Sequence, residues 1–255
     1  MKGNGSSNTI NAVETTLTIV EVLKQINAAG VSEIADEVGI PVSTTYMHLN
    51  TLRHRGYVTK SDGDYRLSLR FLEHGGAVRQ QMEFFGIIQD VVNQTAYLTG
   101  EIVGFGVEEQ GQRVALYRSE GGGAVGDQIP IGEYTYLHWT SLGKVILAHL
   151  PDRRVDEIID EHGLPQGTPF TITDRSELEA ELASIRADGY ATDDAERRRG
   201  IRGAAVPIMD ADETIVGSLG VAGPEHQFTE AYLSELIDTL LEKRNVIEIR
   251  SEFYE

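Results

Sequence analysis

The segment from Val42 to Arg55 carries Ser, Thr, Tyr, Met and Asn at spacings that matter if it is a helix. At 3.6 residues per turn, Thr45, Leu49 and Leu52 share one face and pack inward. Ser43, Thr44, Tyr46, Met47 and Asn50 then lie elsewhere, toward solvent or a groove. Hydroxyl and amide groups pair with base edges, and Met or Tyr contacts a thymine methyl. Arg53 and Arg55 near the helix end, with Lys60 and Arg66 beyond it, suit phosphate oxygens. A second group surrounds Thr140. A helix starting there presents unpaired N–H groups and a partial positive charge, a natural seat for a carboxylate. His138 precedes it, and the Thr140 and Ser141 hydroxyls add hydrogen bonds. Phe105, Tyr134, Tyr136 and Trp139 are either aromatic walls for a ligand or ordinary core and interface residues.

The elements that would position the first group read clearly. Thr15 to Ala28 is a helix with Leu17, Val20, Leu23 and Ile26 inward. Ser32 is expected to cap a short second helix that Gly39 stops. Pro41 opens the third helix, and Gly56 follows its end. The runs Tyr57–Thr59 and Tyr65–Leu67 flank Asp62-Gly63, a strong hairpin signal. Short helices followed by a hairpin form a winged helix-turn-helix pattern. An ordinary helical bundle with a solvated polar face is the plainer reading. The hairpin and the basic cluster argue against it.

Beyond it, Phe71 to about Leu98 is expected to be helical. Ile102–Glu109 and Arg113–Ser119 read as strands around Gln110-Gly111, and Gly121–Gly126 as a flexible loop. Thr140–Leu150 is a helix closed by Pro151. Thr173–Asp188 is another, capped by Thr173 or Asp174 and stopped by Gly189. Ala204–Met209 and Ile215–Ala222 are strands, and Phe228–Ile249 is a long helix. Hairpins mixed with helices indicate an α+β class.

Composition sets limits. A net charge of −18 looks wrong for a DNA binder, but it is unevenly spread. Residues 1–75 hold seven Lys/Arg and eight Asp/Glu, so almost all the excess negative charge lies beyond them. An acidic surface also suits work at high salt, which screens phosphate attraction and shifts weight to shape and base contacts. There is no cysteine, so disulfides and thiolate metal sites are excluded. Met1 to Asn8 is polar, lacks an apolar h-region and reads as a loose tail. No apolar run is long enough for a membrane helix, and a cytoplasmic location is expected.

Several signals fail on inspection. Gly121-Gly122-Gly123 lacks the Gly-Lys-Ser/Thr of a phosphate loop, and Gly143-Lys144 is followed by Val145. There is no Gly-x-Ser-x-Gly elbow and no His-Glu-x-x-His, so neither a hydrolase nor a metal site is expected, and no cofactor. Arg197-Arg198-Arg199 is either a solvated loop or a partner for a ligand carboxylate or an acidic neighbour.

Several motifs in order resemble the IclR family of regulators. They are Leu17–Leu23, Ser32–Thr45, Leu52–Val58, Leu137–Lys144, Gly189–Asp194, Gly200–Ile208 and Gly220–Pro224. The resemblance covers roughly 14–250. It implies a winged helix-turn-helix at 9–70, a linker helix at 71–86 and a GAF-like effector domain at 87–255. That domain has an antiparallel sheet flanked by helices. The resemblance implies homodimers or homotetramers, double-stranded DNA with a palindromic operator as partner, and a small carboxylate effector from sugar-acid or aromatic-acid catabolism. The pocket positions it implies are the loop from Ala124 to Tyr136, the helix start at His138, Thr140, Ser141 and Leu142, and Asp193, Ile201, Gly203, Gly220 and Ala222. Where relatives place Ser or Cys, this chain has Gly203, Gly220 and Ala222, so a roomier pocket and a larger ligand are expected. The rival is a small-acid enzyme with an N-terminal protein-interaction module, for which no catalytic constellation is visible.

Overall fold

The computed structural model describes residues 9–82, 84–124 and 129–252. The N-terminal tail to Asn8 and part of the Gly121–Gly126 loop lie outside the described residues. The chain divides into two compact units, Met1–Gln81 and Met82–Glu255. This boundary lies inside the linker expected at 71–86.

The first unit contains α1 (Asn11–Ile26), α2 (Val31–Val38), α3 (Val42–His54), β1 (Val58–Ser61), β2 (Asp64–Leu67) and α4 (Arg70–Gln80). Ile19 and Leu23 of α1, Ile34 of α2, Leu49 and Leu52 of α3, and Val58 and Tyr65 of the hairpin form its core. The inward face of α1 differs from the expected one, because Leu17 is exposed. Ser32 is not a cap: the chain is already helical at Val31, and Gly30 occupies the cap position without a side-chain bond. Asp62 and Gly63 turn the hairpin with φ of 54° and 99°, the left-handed geometry that Asp-Gly tolerates. Ala29 exchanges both backbone hydrogen bonds with Tyr65, tying the hairpin to the end of α1.

The second unit contains α5 (Phe85–Thr99), β3 (Ile102–Glu109), β4 (Gln112–Glu120), β5 (Tyr134–Tyr136), a 3₁₀ turn at Leu137–Trp139, and α6 (Ser141–His149). It continues with α7 (Asp152–His162), α8 (Arg175–Asp188), β6 (Ala191–Asp194), β7 (Ile201–Met209), β8 (Ile215–Pro224) and α9 (Glu230–Glu252). Six strands form one antiparallel sheet in the order β5-β4-β3-β8-β7-β6. One core joins sheet residues such as Val103, Phe105 and Leu219 to Val91 of α5 and Leu240 of α9. A second core joins Val145 and Ile146 of α6, Ile158 of α7, Leu182 of α8 and Ala205 of β7. The sheet is therefore covered by apolar helices, as an α+β layer requires.

The helix expected from Phe71 to Leu98 is interrupted after Gln80, and α5 begins at Phe85. No residue of α4 is buried, whereas Met82, Phe84 and Phe85 pack on the sheet core. Apolar anchoring begins at the break.

Candidate nucleic-acid interface and effector cavity

In the first unit, Thr45, Leu49 and Leu52 point inward as expected. The Thr45 hydroxyl donates to the Pro41 carbonyl at 3.2 Å, which satisfies it inside the core. Ser43, Tyr46, Met47 and Asn50 are exposed, and Thr44 is half-buried. Met47 is 64 % exposed, high for so apolar a side chain. Thr16 Oγ1 lies 2.8 Å from His48 Nδ1, which ties α1 to α3. Arg53, Arg55, Lys60 and Arg66 are exposed. Lys60 Nζ lies 4.6 Å from the centre of the Tyr65 ring, and Arg70 bonds the Arg55 carbonyl at 3.0 Å. One surface of α3 thus offers hydroxyl, amide and apolar groups, with cations at its end and on the hairpin.

In the second unit, a cavity of about 70 Å³ lies between the sheet and the start of α6. Thr140, Ser141 and Leu142 line it at the helix start. Asp193 and Ile201 contribute from β6 and β7, and Gly220 and Ala222 from β8. Ala124, Tyr136, His138 and Gly203 are not among its lining residues. His138 is buried elsewhere, with Nε2 donating to the Pro165 carbonyl at 3.0 Å. Burial pushes its pKa down, against that hydrogen bond. Trp139 donates to the same carbonyl at 2.8 Å, and Tyr136 packs edge-on against Trp139. These aromatics therefore build the loop beneath the helix start. Tyr134 is exposed and bonded to Glu109. Of the four expected aromatic walls, Phe105 alone borders the cavity.

The expectation of extra room at the glycines needs correction. A Cβ on Gly220 would fall 2.7 Å from the Ala204 carbonyl and 3.0 Å from Leu142. One on Gly203 would fall 2.8 Å from the Val221 carbonyl. Neighbouring strands and Leu142 already occupy the space that larger residues would need.

The helix start uses part of its own donor set. The Thr140 hydroxyl accepts from the Gly143 N–H at 3.1 Å, so that amide serves the cap. Positive charge comes instead from arginines. Arg113, Arg118, Arg197 and Arg198 line the cavity, with Asp193 as the one carboxylate among the described lining residues. Arg197 pairs with Glu133 at 2.9 Å, and Arg118 pairs with Glu120 and the Ile129 carbonyl. The Arg197–Arg199 run is thus only partly a solvated loop: Arg197 is largely covered and Arg199 is exposed.

One wall is held by a buried polar network. The Lys144 ammonium on α6 is almost fully buried and bonds Glu196 at 2.7 Å and Glu181 at 2.8 Å. Burial disfavours its charge, but the two carboxylates outweigh that and hold its pKa above the ordinary lysine value. The Glu196 N–H donates to the Asp193 carboxylate at 3.1 Å, and the Thr168 hydroxyl donates to the Ala195 carbonyl at 2.7 Å. Burial, and then the charge of Glu196, push the Asp193 pKa up to about 7, against the hydrogen bond from that amide and the charge of Lys144. Sequence reading overlooked Arg113, Arg118, Lys144 and Glu196 as site residues. No group of metal-ligating side chains occurs among the described residues, and no helix among them is long and apolar enough to cross a membrane.

A winged helix-turn-helix joined to a cavity-bearing α+β domain defines a ligand-responsive class of DNA-binding regulator. The family model for the IclR helix-turn-helix domain matches residues 12–62, and that for the C-terminal domain of the bacterial transcriptional regulator IclR matches 76–248. The chain belongs to the IclR family of transcriptional regulators. It is 28 % identical to the protein of Halobacterium salinarum named probable HTH-type transcriptional regulator ArcR, over 98 % of this chain and 97 % of that one. The crystal structure of Thermotoga maritima IclR is similar, with 29 % identity, a TM-score of 0.80, and coverage of 95 % of this chain and 99 % of the other. An IclR homologue from Microbacterium hydrocarbonoxydans, crystallised with 4-hydroxybenzoate, shares the fold at 21 % identity and a TM-score of 0.78. That likeness covers 92 % of this chain and 98 % of the other.

Proposed function

We propose that this regulator controls a catabolic operon, binding a palindromic operator as a homodimer or homotetramer and responding to a small organic carboxylate. The observation that carries the reading is the outward face of α3, where Ser43, Tyr46, Met47 and Asn50 stand exposed beside Arg53 and Arg55. Two such helices in a two-fold dimer reach successive major grooves, about 34 Å apart. Ile10 at the cap of α1, with Val13 and Leu17 on it, leaves an exposed apolar row, and Leu72 and Val78 do the same on α4, which favours self-association through this unit.

The effector reading is supported by the arginine-lined cavity at the start of α6, in a protein that is otherwise strongly acidic. The 4-hydroxybenzoate complex of the Microbacterium homologue is consistent with a sugar-acid or aromatic-acid effector here. The carboxylate must bind one DNA-binding geometry better than the other, because only differential affinity shifts an equilibrium. A gel shift of the full chain on its own upstream DNA, across salt concentrations, tests the reading. A sequence-preferring complex is expected. Equal affinity for scrambled DNA at every salt concentration overturns it.

A further inference from the structure

We propose that Arg113 is the anchor for the effector's carboxylate, more than the N-terminus of α6; this rests on the carboxylate-effector reading above. Arg113 is 2 % exposed and lines the cavity. Its Nε donates to Thr135 Oγ1 on β5 at 3.0 Å, which fixes the plane of the fork. Its Nη2 is buried and has no hydrogen-bond partner. Two partly buried neighbours, Arg118 and Arg197, have carboxylate partners in Glu120 and Glu133, whereas no carboxylate bonds Arg113. A buried guanidinium with no carboxylate in contact is costly, and an arriving carboxylate would relieve that cost.

The surroundings make room for this arginine. Gly106 lies diagonally across the β3–β4 pair, two residues from Glu108, the register partner of Arg113, and a Cβ there would fall 3.1 Å from both Cγ and Cδ of Arg113. A glycine there lets the side chain lie flat on the sheet and reach Thr135. Burial, then the charge of Arg197, push the Arg113 pKa down to about 10 against the opposing charges of Glu133 and Asp193, so the group remains a cation at neutral pH with only partial compensation. The Gly143 amide, in contrast, is already spent on the Thr140 hydroxyl, which removes one donor from the helix start and leaves it a poorer seat. A buried cation with no bonded carboxylate and an open donor in this cavity selects a monocarboxylate over a neutral amide or a cation.

The test uses the full chain with sodium acetate, sodium benzoate and sodium 4-hydroxybenzoate, each compared with its primary amide at fixed ionic strength. Melting temperature and calorimetric titration are read. At least one carboxylate is expected to bind saturably, and its amide is not. Arg113→Met should weaken that binding at least about tenfold, the loss of one charge-assisted contact. R113K should keep part of it, and G106A should weaken it by displacing the arginine.

A merely structural arginine would lower the ligand-free melting temperature when replaced. Here R113M is expected to match or exceed the parent, because a buried charge without an ion-pair partner in contact is removed. Undiminished binding by R113M overturns the anchor while leaving a carboxylate effector intact. Equal binding of the amides overturns the anion selection. Failure of all three acids to bind the parent at 20 mM (roughly the weak limit for so small a ligand) overturns both the anchor and the carboxylate reading. Operator binding then reports separately on the regulator.

Discussion

Replacing Asp193 with Asn should change how stability depends on pH, in a direction fixed by the burial of that carboxyl. Its pKa rises from 3.8 to about 7 on folding. The native state therefore keeps a proton that the unfolded chain releases above about pH 4, and stability falls as pH rises through that interval. Below about pH 4 both states are protonated, and above about pH 7 both are ionised, so the change is confined between them. The full interval is worth up to about 4 kcal/mol, at about 1.4 kcal/mol per tenfold change in proton affinity. Glu196, Lys144, Asp194 and Arg113 act on this site electrostatically. Asn retains an oxygen to accept from the Glu196 amide, which keeps the local geometry. Urea unfolding of both proteins from pH 4.5 to 8, at constant ionic strength, gives the difference curve. D193N should gain stability relative to the parent as pH rises and then level off near neutrality. Parallel curves would refute the buried protonated carboxyl.

Other consequences are direct. Lys144→Met leaves Glu196 buried without its cation and should cost about 3–5 kcal/mol. K144M/E196Q should recover part of that loss, measured by urea unfolding as a coupling energy. Asn50→Ala should lower operator affinity with little change in salt dependence, whereas Lys60→Ala should weaken all DNA and reduce the salt slope by about one. Gly63→Ala places a Cβ at φ 99° and should cost about 1 kcal/mol or more in thermal unfolding of the first unit.

The local signals that reached the structure are those that need no distant partner. Asp62-Gly63, Gly39 after α2, and the Thr45-Leu49-Leu52 face specify a turn, a stop and an inward stripe from sequence neighbours alone. Where two helices were merged, the interruption near Met82 is set by packing on a sheet formed far along the chain. The helix α7 escaped notice because Pro151 read as a terminator, although its position just before Asp152 also starts a helix. Its inward residues, Val155 and Ile158, give only a short periodic signal. Arg113 was equally hidden. Within its strand it is a charged residue beside an apolar run, and its burial arises from Gly106, Thr135 and the closing of three strands around it. The same holds for Lys144, whose two carboxylate partners lie 37 and 52 residues away.

The most direct measurement places a photo-crosslinking benzoylphenylalanine at Met47, the most exposed apolar residue of α3, and maps the crosslinked bases in the bound upstream duplex. The account predicts crosslinks confined to two symmetry-related positions in major grooves, lost with scrambled DNA. A stable, sequence-preferring complex with no crosslink to DNA would place another surface on the operator and contradict the assignment of α3.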